Sequence, residues 1–317
     1  MKIGIIGTGR IVDKVAPTLA QINELELYAV ASRELDRAKE CAAKYDIKKA
    51  YGSYEELYAD SEVEFVYICT PHPWHYPNIV KALNAGKNVI CEKPITINAD
   101  EAKAAAKLAS EKGLYLAEAM WPRYMPSRNV IQDVINSGIV GEPYMVSAHL
   151  LYDIAFKERI SKKEMAGGAL LDLGVYCINF CLMILGNDIE KIESNVKLTD
   201  TGVDETETII MYYKNGKMAA ATSSIACYGG REGVIRCKTG YIVIDNVNSP
   251  AKLDVFDGRG NLLLHKDMPV GISGYEYEFE EAIRLIKEGK PQSESMPLSE
   301  SIKVMEICDA IRTEWNK

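Results

Sequence analysis

Little in this sequence would serve a metal, a membrane or a nucleic acid. Histidine is scarce: there are four in 317 residues, and only His72 and His75 lie near each other. Without a supporting carboxylate pattern no metal site is expected. The eight cysteines never form a Cys-x-x-Cys pair. Cys69 and Cys91 sit in strand-like apolar runs, and Cys177 and Cys181 share one apolar helix. They read as small buried hydrophobes in a reducing compartment. Positive charge is also short, with 37 Lys and Arg against 45 Asp and Glu and a net charge of −8, so neither nucleic acid nor an anionic membrane is favoured. The longest apolar run, about Val175 to Leu185, is too short to span a bilayer. The opening Met1 to Gly7 is too short and glycine-rich for a signal peptide. A cytoplasmic protein is expected, with no repeats, low-complexity tracts or long linkers.

What is present is an alternation of strands and helices. Length alone suggests about two domains. Ile3 to Ile6 is an apolar strand, Gly7-Thr8-Gly9-Arg10-Ile11-Val12 follows, and a helical pattern runs to Ile22. A strand, a glycine turn and a helix in that order suit a dinucleotide. The first glycine permits the turn, the second lets the backbone approach a pyrophosphate, and the helix start offers N–H donors to the anion. Val12 stands where a third glycine would be, so the helix is expected to sit slightly off the strand.

A second strand, Leu25 to Ala31, ends without the carboxylate that holds the ribose hydroxyls of NAD. Ser32 and Arg33 stand there, with Arg37 one turn later. A hydroxyl and guanidinium groups suit a 2′-phosphate and hence NADP, with NAD also admissible. The alternative is that Ser32 caps the helix of residues 35–45 and the arginines are surface charges. Ser53-Tyr54-Glu55-Glu56 is a capping box. Phe65 to Cys69 is another strand, leaving through Thr70-Pro71-His72-Pro73-Trp74-His75. His72 and His75 either meet the cofactor ribose or nicotinamide, or build this loop and cap its helix.

The strand Asn88-Val89-Ile90-Cys91 then runs out on Glu92-Lys93-Pro94. Such a strand delivers its charges to the carboxyl edge of the sheet, where ligands bind in open α/β folds. Pro94 restricts Lys93 to extended backbone, which aims the ammonium. Asn98 with Glu101 caps a further helix, and Tyr115 to Glu118 is the last strand of the series. The expectation for residues 1–120 is a doubly wound parallel sheet.

At Trp121 the grammar changes. A helix runs to Gly138, Tyr144 to Tyr152 reads as a long strand, and Gly167-Gly168 opens an apolar helix, Ala169 to Leu185. Strand-like runs follow near 190–198, 206–213, 218–226, 233–237, 241–245, 252–256 and 262–265, punctuated by Asn215-Gly216, Gly229-Gly230 and Asp257-Gly258. Residues 121–317 are therefore expected to be an α+β domain with a large, mainly antiparallel sheet covered by helices on one face. The other face is a candidate homodimer surface. Helices near 274–288 and 298–315 end the chain, the last expected to pack back on the first domain.

Asp172 and Tyr176 are i and i+4, hence on one face of a helix whose other residues are apolar or small. The plain reading is a satisfied hydrogen bond in a core. The chemical reading joins them to Lys93. Hydride transfer at an alcohol carbon needs a proton relay at the oxygen, and a cation beside a phenol favours the phenolate. Lys93, Asp172 and Tyr176 would form that relay between the two domains.

Over the whole chain, Gly7-Thr8-Gly9-Arg10-Ile11, Cys69-Thr70-Pro71-His72, Cys91-Glu92-Lys93-Pro94 and Gly168-Ala169-Leu170-Leu171-Asp172-Leu173-Gly174-Val175-Tyr176 resemble the Gfo/Idh/MocA family of oxidoreductases. Many members carry histidine where Tyr176 stands. Tyr51-Gly52-Ser53-Tyr54-Glu55-Glu56-Leu57 and Glu118-Ala119-Met120-Trp121-Pro122-Arg123 are similar to the dihydrodiol dehydrogenase branch, which also oxidises D-xylose with NADP.

The resemblance implies a Rossmann domain holding the cofactor through Gly7, Gly9, Arg10, Ile11, Ser32, Arg33, Arg37, Thr70, Pro71, His72, His75, Glu92 and Lys93. It implies Lys93 and Tyr176 as catalytic, Asp172 in support, Trp121 and Arg123 bordering nicotinamide and substrate, and dimerisation through the second-domain sheet. Val12 and Pro122 depart from the family pattern, and Pro122 leaves the sugar or diol substrate open. Two other activities share such a fold: glycoside cleavage assisted by a retained NAD, and cofactor sensing without catalysis. A sensor needs no relay.

Overall fold

The computed structural model describes residues 1–315, which fold into two compact units. The first comprises residues 1–124 and 270–302, the second residues 125–269 and those from 303 on.

The first unit opens with β1 (Lys2–Ile6), α1 (Val12–Leu19), β2 (Glu26–Ala31), α2 (Leu35–Tyr45), β3 (Lys49–Tyr51) and α3 (Tyr54–Ala59). It continues with β4 (Phe65–Ile68), α4 (His75–Asn84), β5 (Asn88–Glu92), α5 (Ala99–Lys112) and β6 (Leu116–Ala119). All neighbours pair in parallel, in the order β3-β2-β1-β4-β5-β6. This is the doubly wound arrangement, with its switch point between β1 and β4. The strand β3 has only three residues, too few for a hydrophobic pattern to announce it. The helix α1 stops at Leu19 rather than Ile22. Pro17 lies inside it, and the chain beyond closes through tighter bonds, Gln21 N–H to Thr18 O and Ile22 N–H to Leu19 O. The capping box holds as expected: Ser53 accepts from the Glu56 N–H at 3.3 Å, and the Glu56 carboxylate accepts from the Gly52 N–H at 3.0 Å.

The second unit contains α6 (Ser127–Asn136), β7 (Pro143–Leu151), a single turn α7 (Glu158–Ser161), α8 (Val175–Leu185) and seven further strands. These are β8 (Ile189–Leu198), β9 (Asp204–Tyr213), β10 (Met218–Ser224), β11 (Gly233–Cys237), β12 (Gly240–Ile244), β13 (Lys252–Asp257) and β14 (Leu262–Asp267). Their order is β14-β13-β12-β11-β7-β10-β9-β8, antiparallel except where β10 runs parallel to β7. Asn215-Gly216 and Asp257-Gly258 make the β9–β10 and β13–β14 turns. Alternation is strict on one face, where Val146, Ala148, Ile209, Met211, Ala219, Ala221, Ile235 and Val255 are all buried. Burying each of the valine, isoleucine and methionine side chains contributes roughly 1.5–3 kcal/mol. The helix α8 packs on this face across β7 and β10. By length and composition the helical stretch Lys163–Leu185 could cross a membrane, but 78% of its most apolar window is buried inside the protein. The opposite face of the sheet leaves Met145, Ile210, Val234, Val243 and Phe256 half-buried.

The chain then closes with α9 (Glu276–Lys287) and α10 (Leu298–Trp315). The sequence places the last helix, 298–315, against the first domain. The helix α9 joins the core of the first unit. Phe279 packs edge-on against Phe65 and Tyr67, at 6.4 and 5.3 Å between ring centres, and with Ile283 it completes a core shared with Ile3, Ile5 and Leu19. Of α10 only the first turn, to Ile302, belongs to that unit, and the remainder belongs to the second.

Candidate active site

The β1–α1 turn is shaped for close backbone approach. Gly7 has φ +106, and a Cβ there would lie 3.0 Å from the carbonyl oxygen of Cys69, so the turn needs glycine on both counts. At Gly9 a Cβ would meet nothing of the protein nearer than 3.9 Å. Glycine at that position therefore answers to something outside the protein fold, as a pyrophosphate would require. The helix α1 starts with no side-chain cap. Among the described residues the N–H groups of Gly9, Arg10 and Ile11 have no protein acceptor, which leaves donors for an anion. Val12, in the third-glycine position, is buried in the core.

At the end of β2, Ser32 is buried, and its hydroxyl accepts from the Glu34 N–H at 3.4 Å. Ser32 does not cap α2, whose N-cap is Glu34 without a side-chain bond. Arg33 and Arg37 are exposed, and both act on the Tyr54 phenol. Burial raises that phenol while the two guanidinium charges oppose the shift. Among the described residues neither arginine makes an ion pair. Two uncommitted guanidinium groups beside a buried hydroxyl fit a phosphate at the strand end.

The exits of β4 and β5 are tied together by His75. Its ring nitrogens lie 2.7 Å from the carbonyl oxygens of Thr70 and Pro94, and the ring is fully buried. His75 thus ties the two loops together. His72 packs edge-on against it at 5.7 Å. The Lys93–Pro94 peptide is cis. Glu92 accepts from the Tyr67 hydroxyl at 2.5 Å, and the Ile95 N–H donates to Glu118 at 3.0 Å. Burial pushes the Glu118 carboxyl up.

Trp121 stacks on Tyr275 at 4.6 Å, and Arg123 donates to Glu300 at 2.6 Å while only 6% exposed. Arg123, which the resemblance puts beside the substrate, has its guanidinium in a salt bridge to the first turn of α10. Sequence reading missed Tyr67, Tyr275 and Glu278. Glu278 is fully buried with neither oxygen hydrogen-bonded, and burial, reinforced by the Glu92 charge, drives its carboxyl well above the carboxylate range. For Tyr275 and Glu278 a Tyr-x-x-Glu spacing at the start of an amphipathic helix was the only signal available.

In the second unit Asp172 and Tyr176 are both buried. The helix expected from Ala169 is not α-helical at its start. Residues Leu170–Gly174 form one wider π turn, a conformation found often at functional sites, before α8 begins. Asp172 is gripped from the short helix α7 by Arg159, Nη1 to Oδ1 at 2.9 Å. Gly168 has φ +111, and a Cβ there would overlap the Asp204 carboxylate. Arg159, Asp204 and Glu207 were not singled out from sequence, because nothing local distinguishes them from other surface-type charges.

Comparison with known proteins follows the same division. A family profile described as "Oxidoreductase family, NAD-binding Rossmann fold" matches residues 1–120, and one described as "GFO/IDH/MocA C-terminal domain" matches residues 129–243. The chain is 34% identical to trans-1,2-dihydrobenzene-1,2-diol dehydrogenase of Mus musculus, over 98% of this chain and 96% of that protein. Against the Homo sapiens enzyme of the same name the identity is 33% with the same coverage. Among solved structures it is similar to a 3-ketoreductase from Actinomadura kijaniata in complex with NADP and TDP-benzene, with TM-score 0.92, 24% identity and 99% and 97% of the two chains covered. It is also similar to aldose-aldose oxidoreductase from Caulobacter crescentus, with TM-score 0.89, 18% identity and 100% and 98% covered. At those identities the two structures show the fold alone.

Proposed function

Because the chain belongs to the Gfo/Idh/MocA family of oxidoreductases and is a nicotinamide-dependent enzyme acting on hydroxyl groups, we propose that it is an NADP-dependent dehydrogenase or reductase of a sugar or cyclic diol. The bound nicotinamide dinucleotide supplies or accepts the hydride. The uncapped start of α1, with Gly7 and Gly9, is the seat of the pyrophosphate, and Ser32, Arg33 and Arg37 hold the 2′-phosphate. The loops of Thr70, Pro71 and His72, clamped by His75, and the end of β5 at Glu92 and Lys93 hold the ribose and nicotinamide. Relatives named for a cyclic diol support the substrate class, and the reductase crystallised with NADP supports the cofactor.

Tyr176 is the general acid and base at the substrate oxygen, Lys93 favours its phenolate, and Asp172 holds it in place. Trp121 forms a wall of the substrate site with Arg123 beside it. One observation carries this reading: a phenol and a carboxylate lie buried at the start of a helix that is otherwise apolar but for Asn179. The half-buried apolar face of the second-unit sheet is the homodimer surface. Eight free cysteines, six of them buried, suit the reducing cytoplasm.

The test is Tyr176→Phe, assayed with trans-1,2-dihydrobenzene-1,2-diol and with D-xylose. Cofactor binding, read by tryptophan quenching, should persist while turnover falls by about 10²–10⁴-fold, the usual loss with a general acid or base. Unchanged turnover would reject Tyr176 as proton donor.

A further inference from the structure

The π turn that carries Asp172 is bracketed by two carboxylates from β9. At its start Asp204 accepts the backbone N–H of Leu170 at 2.5 Å, and its other oxygen fills the space a Cβ at Gly168 would occupy. At its end Glu207 stands under Gly174, where a Cβ would lie 2.8 Å from Oε1 and 3.0 Å from the Ser223 hydroxyl. Ser223 donates to Oε1. Glu207 is 1% exposed, and Oε2 is buried with no hydrogen-bond partner. Both flanking glycines are therefore required by side chains reaching across from the sheet.

The charges around the two acids are few. On β9 itself, the Asp204 charge opposes ionisation of Glu207. From α10, Arg312 acts on Asp204 while paired at 2.6 Å with Asp309, and the buried Cys308 thiol faces both acids. Arg159 is committed to Asp172 on the far side of the turn. Two carboxylates this deeply buried cannot both be ionised. Glu207, with an unpartnered oxygen and no cation, is the neutral one, because an orphan charge costs far more than an orphan hydroxyl. Asp204, which accepts a backbone N–H and lies nearer Arg312, is the ionised one at neutral pH. Burial raises its carboxyl to about 6, against the pull of the Leu170 N–H, and lifts Glu207 further.

We propose that Asp204 and Glu207 are positioning residues that share one proton, the Asp204 carboxylate fixing the turn that presents Asp172 and Tyr176. The functional part of this rests on the reading of Tyr176 as proton donor. Ionised, Asp204 makes a charge-assisted bond to Leu170 N–H, roughly twice as strong as a neutral one. With Asp204 still buried, a second proton in the pair weakens that bond and loosens the Leu170 end of the turn, while the fold as a whole gains from the neutral acid. The pair then sets an acid limit on catalysis without touching substrate.

Two measurements on the full chain test this. The first is hydrogen exchange of the peptide containing Leu170 between pH 5 and 8, corrected for intrinsic rates. Protection should fall several-fold below pH 6 in the wild type, become independent of pH in Asp204→Asn, and keep the wild-type course in Glu207→Gln, which copies a neutral acid. Protection that does not vary with pH in the wild type, or that still varies in Asp204→Asn, overturns the proposal. The second is the pH profile of kcat with NADP⁺ and trans-1,2-dihydrobenzene-1,2-diol. Asp204→Asn should lose the acid limb near pH 6, and Glu207→Gln should keep it. Asp204→Asn retaining that limb while Tyr176→Phe is inactive rejects the positioning role alone. Full turnover by Tyr176→Phe rejects the relay, and the positioning role with it, leaving the exchange experiment to judge the shared proton.

Discussion

Arg159 reaches from α7, the single turn of helix before the π turn, to grip the buried Asp172, with 2.9 Å between Nη1 and Oδ1. The guanidinium is itself almost half exposed. Solvent screening limits the worth of such a pair to about 0.2–1 kcal/mol of stability, so its value lies in orientation. Arg159→Ala should leave cofactor affinity intact and lower turnover about tenfold, equivalent to 1.4 kcal/mol in the barrier. Arg159→Lys should recover only part of this, because an ammonium lacks the planar fork. Steady-state kinetics beside a cofactor titration checks it, and equal turnover in all three proteins would leave the pair a structural detail.

The cofactor preference is tested by Arg33→Ala and Arg37→Ala. A charged hydrogen bond to the 2′-phosphate contributes about 1.5–3 kcal/mol. Each change should weaken NADPH binding by roughly tenfold or more while NADH binding stays level. Equal weakening of both cofactors in fluorescence titrations would remove the phosphate role.

The Arg123–Glu300 pair should matter to stability first. Glu300→Ala removes a carboxylate to which a guanidinium only 6% exposed donates. Breaking a buried pair from one side costs about 3 kcal/mol, visible as a lower urea midpoint. Arg123→Met with Glu300→Leu, which removes both charges, should cost less than either single change.

Stability should depend on pH through Asp204. Its carboxyl is raised in the folded protein to about 6, above the ordinary aspartate value. For a raised acid the stabilising contribution is full below the unfolded-state value near 4 and is lost as pH rises through 6. The wild type should therefore lose about 3 kcal/mol relative to Asp204→Asn between pH 4 and 7.5. Paired urea titrations at the two pH values measure it, and a constant gap between the proteins would mean that Asp204 titrates normally.

The parts of this protein that local sequence determined are those that local physics controls. Gly7-Thr8-Gly9 between a strand and a helix had to be a turn, Asn215-Gly216 had to be a hairpin, and Ser53 with Glu56 had to start a helix, because each depends on dihedral freedom or on a donor a few residues away. The two-residue period of β7, β9 and β10 likewise declared one buried and one open face. Tertiary structure alone decided the rest. No local signal distinguished Asp204 and Glu207 from the other acids of an acidic chain until the sheet brought them under Gly168 and Gly174. Nothing near Arg123 foretold Glu300, 177 residues away. Nor did the amphipathic pattern of α9 say which sheet it would cover, because a hydrophobic stripe demands burial without naming its partner. Sequence thus named the cofactor turn and the residues proposed for the relay, and contacts distant along the chain decided what holds them in place.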